Sequence, residues 1–473
     1  MQEVHLAPMD PQRLEPVIGI ERFESFAHEL APRMAEAFDG VAIVNVNSTP
    51  AGGGVAEMLH VLLPVTRGLG IDARWLAIEG EPVFFAVTKR LHNFIHGAAG
   101  DGGVLDEAAH EAYVAVTHSN DAELKGFVKP GDPIILHDPQ TAGLAEGCRR
   151  RGHPVVWRCH IGADAANERT EAAWAFLRRY LEGNVDAYVF TRREYAPDWV
   201  PADRLFVIPP SIDPLSPKNA ELSSSDACRI LQKIGVLDGD PQGDVALTRP
   251  DGSPMRVRHY ADVVRTGPAT PPQSPLVVQV SRWDHLKDMV GVMQGFADHV
   301  FDGHGAHLAL VGPVVTAVAD DPEGAEVLQE CWNHWRGLPH AARARIQLVC
   351  LPMGDGVENA WLVNALQRHA AVVVQKSLAE GFGLTVTEAM FKGRPVVASA
   401  VGGIVDQIVD GESGLLVRDP TDLASFGAAV RSILDDRDLG QRLGEGARVR
   451  AGELFLTDTH LAAWAEVVSS LRG

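Results

Sequence analysis

The sequence predicts an α/β chain with two doubly wound halves, each built on a parallel sheet, and three observations predict it. Short apolar runs alternate with helical patterns over residues 41–190 and again over 276–398, as expected of parallel strands covered on both faces. Between Ser211 and Pro275 the alternation stops, and Pro209-Pro210, Ser223-Ser224-Ser225, Asp238-Gly239-Asp240 and Pro271-Pro272 supply loop chemistry instead. The 473 residues suit two or three domains at about 150 residues each. The expected division is therefore 1–212, a linker with an insertion over 213–275, and 276–456, with a last helix over 457–473.

In chain order, the first twenty residues are Pro-rich and read as an arm. Phe23, Phe26, Leu30, Met34 and Phe38 then fall at helical spacing, with Pro32 as a break. Residues 41–46 form a strand that exits through Asn47-Ser48-Thr49-Pro50-Ala51-Gly52-Gly53-Gly54 into a helix near Val55. That loop lacks the Lys-Ser/Thr ending of a P-loop, so triphosphate hydrolysis is a poor fit. It also lacks GxGxxG spacing with an acidic partner, so a nicotinamide cofactor is a poor fit. Glycines at a helix start still suit a diphosphate, against the plainer reading of a tight turn.

Strands over 71–78, 134–136, 154–159 and 187–190 alternate with helices over 82–96, 106–124, 143–151 and 165–181. His137-Asp138-Pro139-Gln140 and Arg158-Cys159-His160 fall at strand ends, where such sheets bind ligands. A short helix over 226–236 is expected in the irregular stretch. The second half carries strands over 276–280, 307–311, 346–351, 371–375 and 396–398, then helices over 423–434, 439–455 and 459–471. Two such halves place a ligand in the cleft where they face each other.

Lys+Arg number 42 against Asp+Glu 62, a net charge of −20 that argues against non-specific nucleic-acid binding and against an anionic membrane surface. The five cysteines have no CxxC spacing and read as reduced, packed thiols. No signal peptide and no long apolar run is evident, so a cytoplasmic location is expected. Asp238-Gly239-Asp240 has no His or Glu partner nearby and reads as a solvated turn, not a metal site.

The chemistry gathers in Ser377-Leu378-Ala379-Glu380-Gly381-Phe382-Gly383-Leu384-Thr385-Val386-Thr387-Glu388. This is a strand–loop–helix turn with a carboxylate on each side of Gly-Phe-Gly. Two glycines allow close backbone approach, and the helix start favours an oxygen-rich ligand. Glu380 and Glu388 suit polyols such as a sugar and a ribose. Arg282 and Lys287, leaving the end of strand 276–280, suit a diphosphate in an otherwise acidic chain. These residues together indicate a nucleotide-sugar pocket. Two solvated glutamates and a surface Arg and Lys paired with Asp284 and Asp288 are the plainer alternative.

Glu380-Gly-Phe-Gly-Leu-Thr-Val-Thr-Glu388 resembles the Glu-x7-Glu motif of family-4 retaining glycosyltransferases, which have the GT-B fold. Arg282 with Lys287 resembles their diphosphate-binding pair, and Gly52-Gly53-Gly54 their N-terminal Gly loop. Asn45 to Glu57, Glu79 to Arg90, His137-Asp-Pro-Gln140, Trp157-Arg-Cys-His-Ile161, Pro209 to Leu215 and Gln375-Lys-Ser377 narrow the resemblance to the trehalose glycosyltransferring synthases. The retaining trehalose phosphorylases share much of this pattern.

The resemblance implies transfer of an α-glucosyl unit from ADP-, UDP- or GDP-glucose to glucose, giving α,α-trehalose with retention and without an enzyme nucleophile. His160, Glu380, Arg282 and Lys287 would be the catalytic set. Glu380 and the amides of Gly381, Phe382 and Gly383 would hold the transferred sugar, and Glu388 the ribose. Gly53 and Gly54 would help hold the diphosphate, with Leu384, Thr385 and Asn364 also on the donor side. Asp138, Gln140 and Asn47 would serve the acceptor.

No cofactor and no metal is implied; the nucleotide sugar is a substrate, and the partners are small sugars. The final helix is expected to return to the first domain. The oligomeric state stays open between monomer and homodimer. Two departures concern the acceptor. Gly162 stands where the family often has an Asp, and residues 237–275 are inserted. Open alternatives are a trehalose phosphorylase, a transferase with another acceptor, and a non-catalytic nucleotide-sugar binding protein.

Overall fold

The computed structural model describes residues 1–50, 54–241, 243–315 and 322–471. The chain forms two compact units, Met1–Asp213 with the C-terminal stretch from Phe455, and Pro214–Leu454. Each is a Rossmann-like α/β layer structure around one seven-stranded sheet.

In the first unit the strands are β1 (Gln2–Glu3), β2 (Ile43–Asn47), β3 (Ala73–Ala77), β4 (Ile134–His137), β5 (Val155–Cys159), β6 (Ala187–Phe190) and β7 (Leu205–Val207), in the order β1-β3-β2-β4-β5-β6-β7. All pairs are parallel except β1 with β3. The first twenty residues are thus more than an arm. Gln2 and Glu3 close the edge of the sheet, which two residues cannot announce by alternation. The Phe23–Phe38 spacing is helical as expected, and a π-helical turn at Phe26–Leu30 precedes Pro32, whose ring cannot continue the regular ladder.

Val44 and Val46 are fully buried on one face of β2, while Asn45 and Asn47 point to the other. The register sets Asn45 beside Ile135 and His137 beside Arg158, so these polar groups share the second face. The C-terminal helix Thr457–Ser470 covers it. Arg158 lies 5.8 Å from the centre of the Trp464 ring, and Arg22 donates to Asp458 at 2.9 Å.

The second unit contains β8 (Leu247–Thr248), β9 (Pro254–Met255), β10 (Asp262–Val264), β11 (Leu276–Val280), β12 (His307–Pro313), β13 (Ile346–Leu351), β14 (Val372–Gln375), β15 (Val396–Ser399) and β16 (Leu415–Val417). Its large sheet runs β10-β13-β12-β11-β14-β15-β16, with only β10 antiparallel. Residues 213–275 therefore differ from the expected linker, since from Pro214 onward they belong to this unit. The helix Ser224–Lys233 starts at its Ser223 cap, and β10 extends the sheet edge.

The insertion is clamped to the helix Gly356–His369. Buried Glu358 accepts from the amides of Arg258 and His259 at 2.6 and 2.8 Å, and Arg249 pairs with Asp355 at 2.6 Å. No helix among the described residues is long and apolar enough to cross a membrane.

Candidate functional site

In the second unit the loops leaving β11 and β14 lie side by side, joined by the bond from the Leu378 amide to the Leu286 carbonyl at 2.8 Å. That contact brings Lys287 to Glu380, with Nζ 2.7 Å from Oε2, and Ser377 Oγ donates to the same oxygen at 3.2 Å. The buried Gln279 side chain sets the spacing. Its amide nitrogen donates to the Lys287 carbonyl at 2.7 Å, and its oxygen accepts from the Lys376 amide at 3.0 Å. Lys376 in turn pairs with Asp288, which holds a left-handed φ of 46° and caps the helix Met289–His299. Arg282 stands further out, more than half exposed, beside Asp284 at 3.3 Å. Lys287 and Glu380 are therefore brought together, and Arg282 keeps reach.

The Gly-Phe-Gly segment is fixed from behind. The Gly381 carbonyl accepts from the Gly403 amide at 3.0 Å, and Gln407 donates to the Phe382 carbonyl. Gly383 has φ 89°, and a Cβ there would meet Glu380 Cγ at 3.1 Å, so glycine is required. Gly383 precedes the helix Leu384–Phe391 without a side-chain cap. Leu384 opens that helix, and Thr385 bonds Gln375 at 3.1 Å.

One turn on, Glu388 is 4 % exposed, and its Oε2 has no partner among the described residues. Its Oε1 lies 3.5 Å from Lys218 Nζ. Beneath it Lys392 donates to Asn219 at 2.9 Å and Gln367 at 2.7 Å. Burial pushes the Lys392 ammonium down to about 7, against the pull of Glu388. Asn364 does not join this group. Both its amide bonds go to the Pro217 and Ala220 carbonyls at 2.8 Å, and its oxygen accepts from Arg368 at 2.9 Å. It anchors the 217–220 segment, with its amide and oxygen engaged by protein groups.

In the first unit β4 and β5 deliver His137 and His160. Their rings stack at 13° with centres 5.4 Å apart, and His137 Nδ1 lies 3.0 Å from His160 Nε2. His137 Nε2 lies 3.0 Å from Asn45 Oδ1. Asp138, at φ 60°, accepts the His160 amide at 2.8 Å. Burial, then the Arg158 cation, pushes His137 down to about 3, and the same causes hold His160 well below its usual value. Burial raises Asp138 to about 7, opposed by the His160 amide and Arg158. Arg158, fully buried, donates to the Ile208 carbonyl at 2.7 Å, and its Nε and Nη1 have no partner among the described residues. Its strand position gave only an apolar-run pattern, so its buried charge was not foreseen.

Gln140 lies partly buried in the helical turn Asp138–Thr141. Asn47, expected on the acceptor side, is engaged by its own unit. Its oxygen accepts from Trp75 at 2.8 Å and its nitrogen donates to the Thr49 carbonyl at 2.8 Å, which shapes the strand exit. Gly54 opens the helix Gly54–Gly68, while Gly52 and Gly53 lie outside the described residues. Gly162 has a steric reason: a Cβ would stand 2.0 Å from Tyr195 Cγ. Arg192 covers that buried ring at 5.4 Å and pairs with Asp164 at 2.6 Å. Among the described residues no cluster of three His, Cys, Asp or Glu could hold a metal ion.

Comparison with known proteins follows this division. A family model described as the N-terminal domain of trehalose synthase matches residues 45–197, and one described as glycosyl transferases group 1 matches 356–450. The trehalose synthase of Pyrococcus horikoshii is 36% identical over 441 residues, covering 93% of this chain and 92% of that protein. The trehalose phosphorylase of Pleurotus sajor-caju is 26% identical over 455 residues, covering 88% of this chain and 56% of that protein. Among solved structures, a UDP-forming α,α-trehalose-phosphate synthase from Burkholderia xenovorans in complex with glucose-6-phosphate gives a TM-score of 0.66. At 15% identity over 92% of this chain and 100% of that one, it speaks for the fold alone.

Proposed function

The chain belongs to the trehalose synthase family of GT-B glycosyltransferases, and from that premise we propose that it moves an α-glucosyl unit from a nucleoside-diphosphate glucose to glucose, forming α,α-trehalose with retention. The observation that carries this reading is Glu388, buried with one carboxylate oxygen unpartnered among the described residues and eight positions after Glu380. A buried acceptor left open is costly, by about 1–3 kcal/mol, unless a ligand hydroxyl completes it. A ribose supplies such hydroxyls; a phosphorylase has no ribose to hold.

In this reading Lys287 and Arg282 take the diphosphate, and binding draws Lys287 from a carboxylate to phosphate oxygens. Glu380, released from Lys287, accepts from hydroxyls of the transferred glucose. The leaving diphosphate gathers negative charge as the glycosidic bond breaks, and fixed cations stabilise that charge without reorganising. A phosphate oxygen accepts the proton of the attacking hydroxyl on the face of departure, which retains the α configuration. His160 lies against the sugar, and Asp138 and Gln140 serve the acceptor. The buried Tyr195 ring against Gly162 leaves no room for a side chain at that position, so no carboxylate from there reaches the acceptor.

The test is product analysis by anomeric NMR. The protein is incubated with glucose and each of ADP-, UDP- and GDP-glucose, then with trehalose and phosphate. Trehalose from a nucleotide sugar is expected. Glucose 1-phosphate from trehalose and phosphate, with no nucleotide reaction, would assign a phosphorylase instead.

A further inference from the structure

Asn45, His137 and His160 form a hydrogen-bonded chain, with Asn45 Oδ1 3.0 Å from His137 Nε2 and His137 Nδ1 3.0 Å from His160 Nε2. Each neutral ring carries one proton and each bond needs one, so the three side chains share a single arrangement. An amide oxygen only accepts. His137 facing Asn45 Oδ1 must therefore carry its proton on Nε2, which leaves Nδ1 a lone pair. His160 must then donate from Nε2, and its own Nδ1 is left bare. We propose that Asn45 and His137 are positioning residues that hold His160 in the Nε2–H tautomer, so that it meets a ligand through Nδ1 as a hydrogen-bond acceptor.

The surroundings support a neutral chain with one polarity. Burial and the adjacent Arg158 keep both rings uncharged. Asp138, the other charged group against His160, is bonded to its backbone amide at 2.8 Å and not to its ring. The His160 carbonyl accepts from Thr191 at 3.2 Å, so the backbone is pinned on both sides. No described residue bonds His160 Nδ1.

Behind the chain, Asn45 and His137 line a mostly apolar cavity walled by Met34, Met58, Leu62 and Trp464, with the Thr66 hydroxyl turned to the Leu62 carbonyl at 2.8 Å. The indole of Trp464 is already spent, donating to His460 Nε2 at 3.0 Å, while His460 Nδ1 donates to the Pro209 carbonyl at 2.9 Å. His460 is thereby a fixed Nδ1–H tautomer, and it cannot exchange protons with the chain. Reversing the Asn45 amide would reverse every proton and present Nδ1–H to the ligand, so one buried amide decides what His160 offers.

The proton placement stands on this geometry; its catalytic meaning rests on the glucosyl-transfer reading. There a lone pair near the sugar accepts from a hydroxyl and suits the positive charge that grows at the anomeric carbon, which an N–H would oppose.

The experiment is long-range proton–nitrogen NMR on the full chain labelled with nitrogen-15 histidine, at neutral pH without substrate. His137 and His160 are expected to show a protonated Nε2 and a bare Nδ1. A proton on His160 Nδ1 overturns the proposal. Asn45→Asp then supplies a carboxylate that favours the His137 cation, whose Nδ1–H turns His160 Nε2 into an acceptor and moves the His160 proton to Nδ1. With that shift, kcat for trehalose formation is expected to fall about tenfold while KM for the nucleotide sugar stays within about threefold. An unchanged kcat with a moved proton would overturn the catalytic meaning. His137→Gln keeps an acceptor for His160 and should retain the wild-type His160 signals, whereas His137→Leu should lose them; equal spectra in both variants count against the relay. The expected wild-type spectrum in a protein that transfers no glucosyl unit would support the tautomer and count against the proposed reaction alone.

Discussion

The two units handle polar groups in opposite ways. In the first, His137 and His160 at strand ends and His460 on the C-terminal helix are pushed to the neutral form, and they bond to amides, carbonyls and one another. At the loop ends of the second, opposite charges are set in pairs: Lys287 with Glu380, Lys376 with Asp288, Arg282 with Asp284. Ion pairs at a partly open surface can exchange partners when a charged ligand arrives. Neutral buried chains cannot.

The largest expected effect would break the charged side of that contrast. Glu380→Ala should lower turnover by about three orders of magnitude, because it removes an acceptor for the reacting sugar, with a thermal midpoint close to wild type. Steady-state rates beside a melting curve decide it, and near-normal turnover would detach Glu380 from the site. A smaller effect is expected at its partner. Lys287→Ala should raise the inhibition constant of free nucleoside diphosphate about tenfold, the loss of one charge-assisted contact. An unchanged constant would mean that Lys287 serves only to hold Glu380.

A third effect, on stability and not on turnover, sharpens the neutral side. An unfolded histidine titrates near 6.5, whereas folded His137 does so at about 3. As pH falls below about 6.5 the unfolded state takes up a proton that the native state refuses, so stability drops toward pH 3 by up to about 1.4 kcal/mol per pH unit from this residue. His460, lowered to about 3, adds to that slope. Asp138, raised to about 7, works the other way. It loses stability as pH rises from about 4 to 7, since the unfolded carboxyl ionises first. His137→Asn should therefore flatten the acid limb of denaturant-derived stability, and an unaltered limb would place the acid sensitivity elsewhere.

Much of the architecture was legible because its signals are local. An apolar run such as Val372–Gln375, a Gly loop and a helical pattern lie within twenty residues of one another, and they predict strand, loop and helix without knowledge of neighbours. The edges were not legible. Gln2–Glu3 and Asp262–Val264 are too short to show alternation, and only the partner strand makes them strands. The same limit applies to the site. Glu380, Lys287 and His160 could be named from their places beside glycines and strand ends. The internal bonds of Asn364 and Asn47 could not be read, because they go to carbonyls and an indole that only the folded chain brings near.

By itself, then, the sequence determined the two α/β halves, the glycine-flanked carboxylates and the cations after β11, because periodicity and turn chemistry act over a few residues. Tertiary structure alone decided which of these side chains face one another and in what protonation state. His137 and His160 lie on neighbouring parallel strands, Asn45 on a third, and Arg158 is sealed against them by a helix from the far end of the chain. Burial and proximity set their protons, and neither quantity exists until the sheet is assembled and covered.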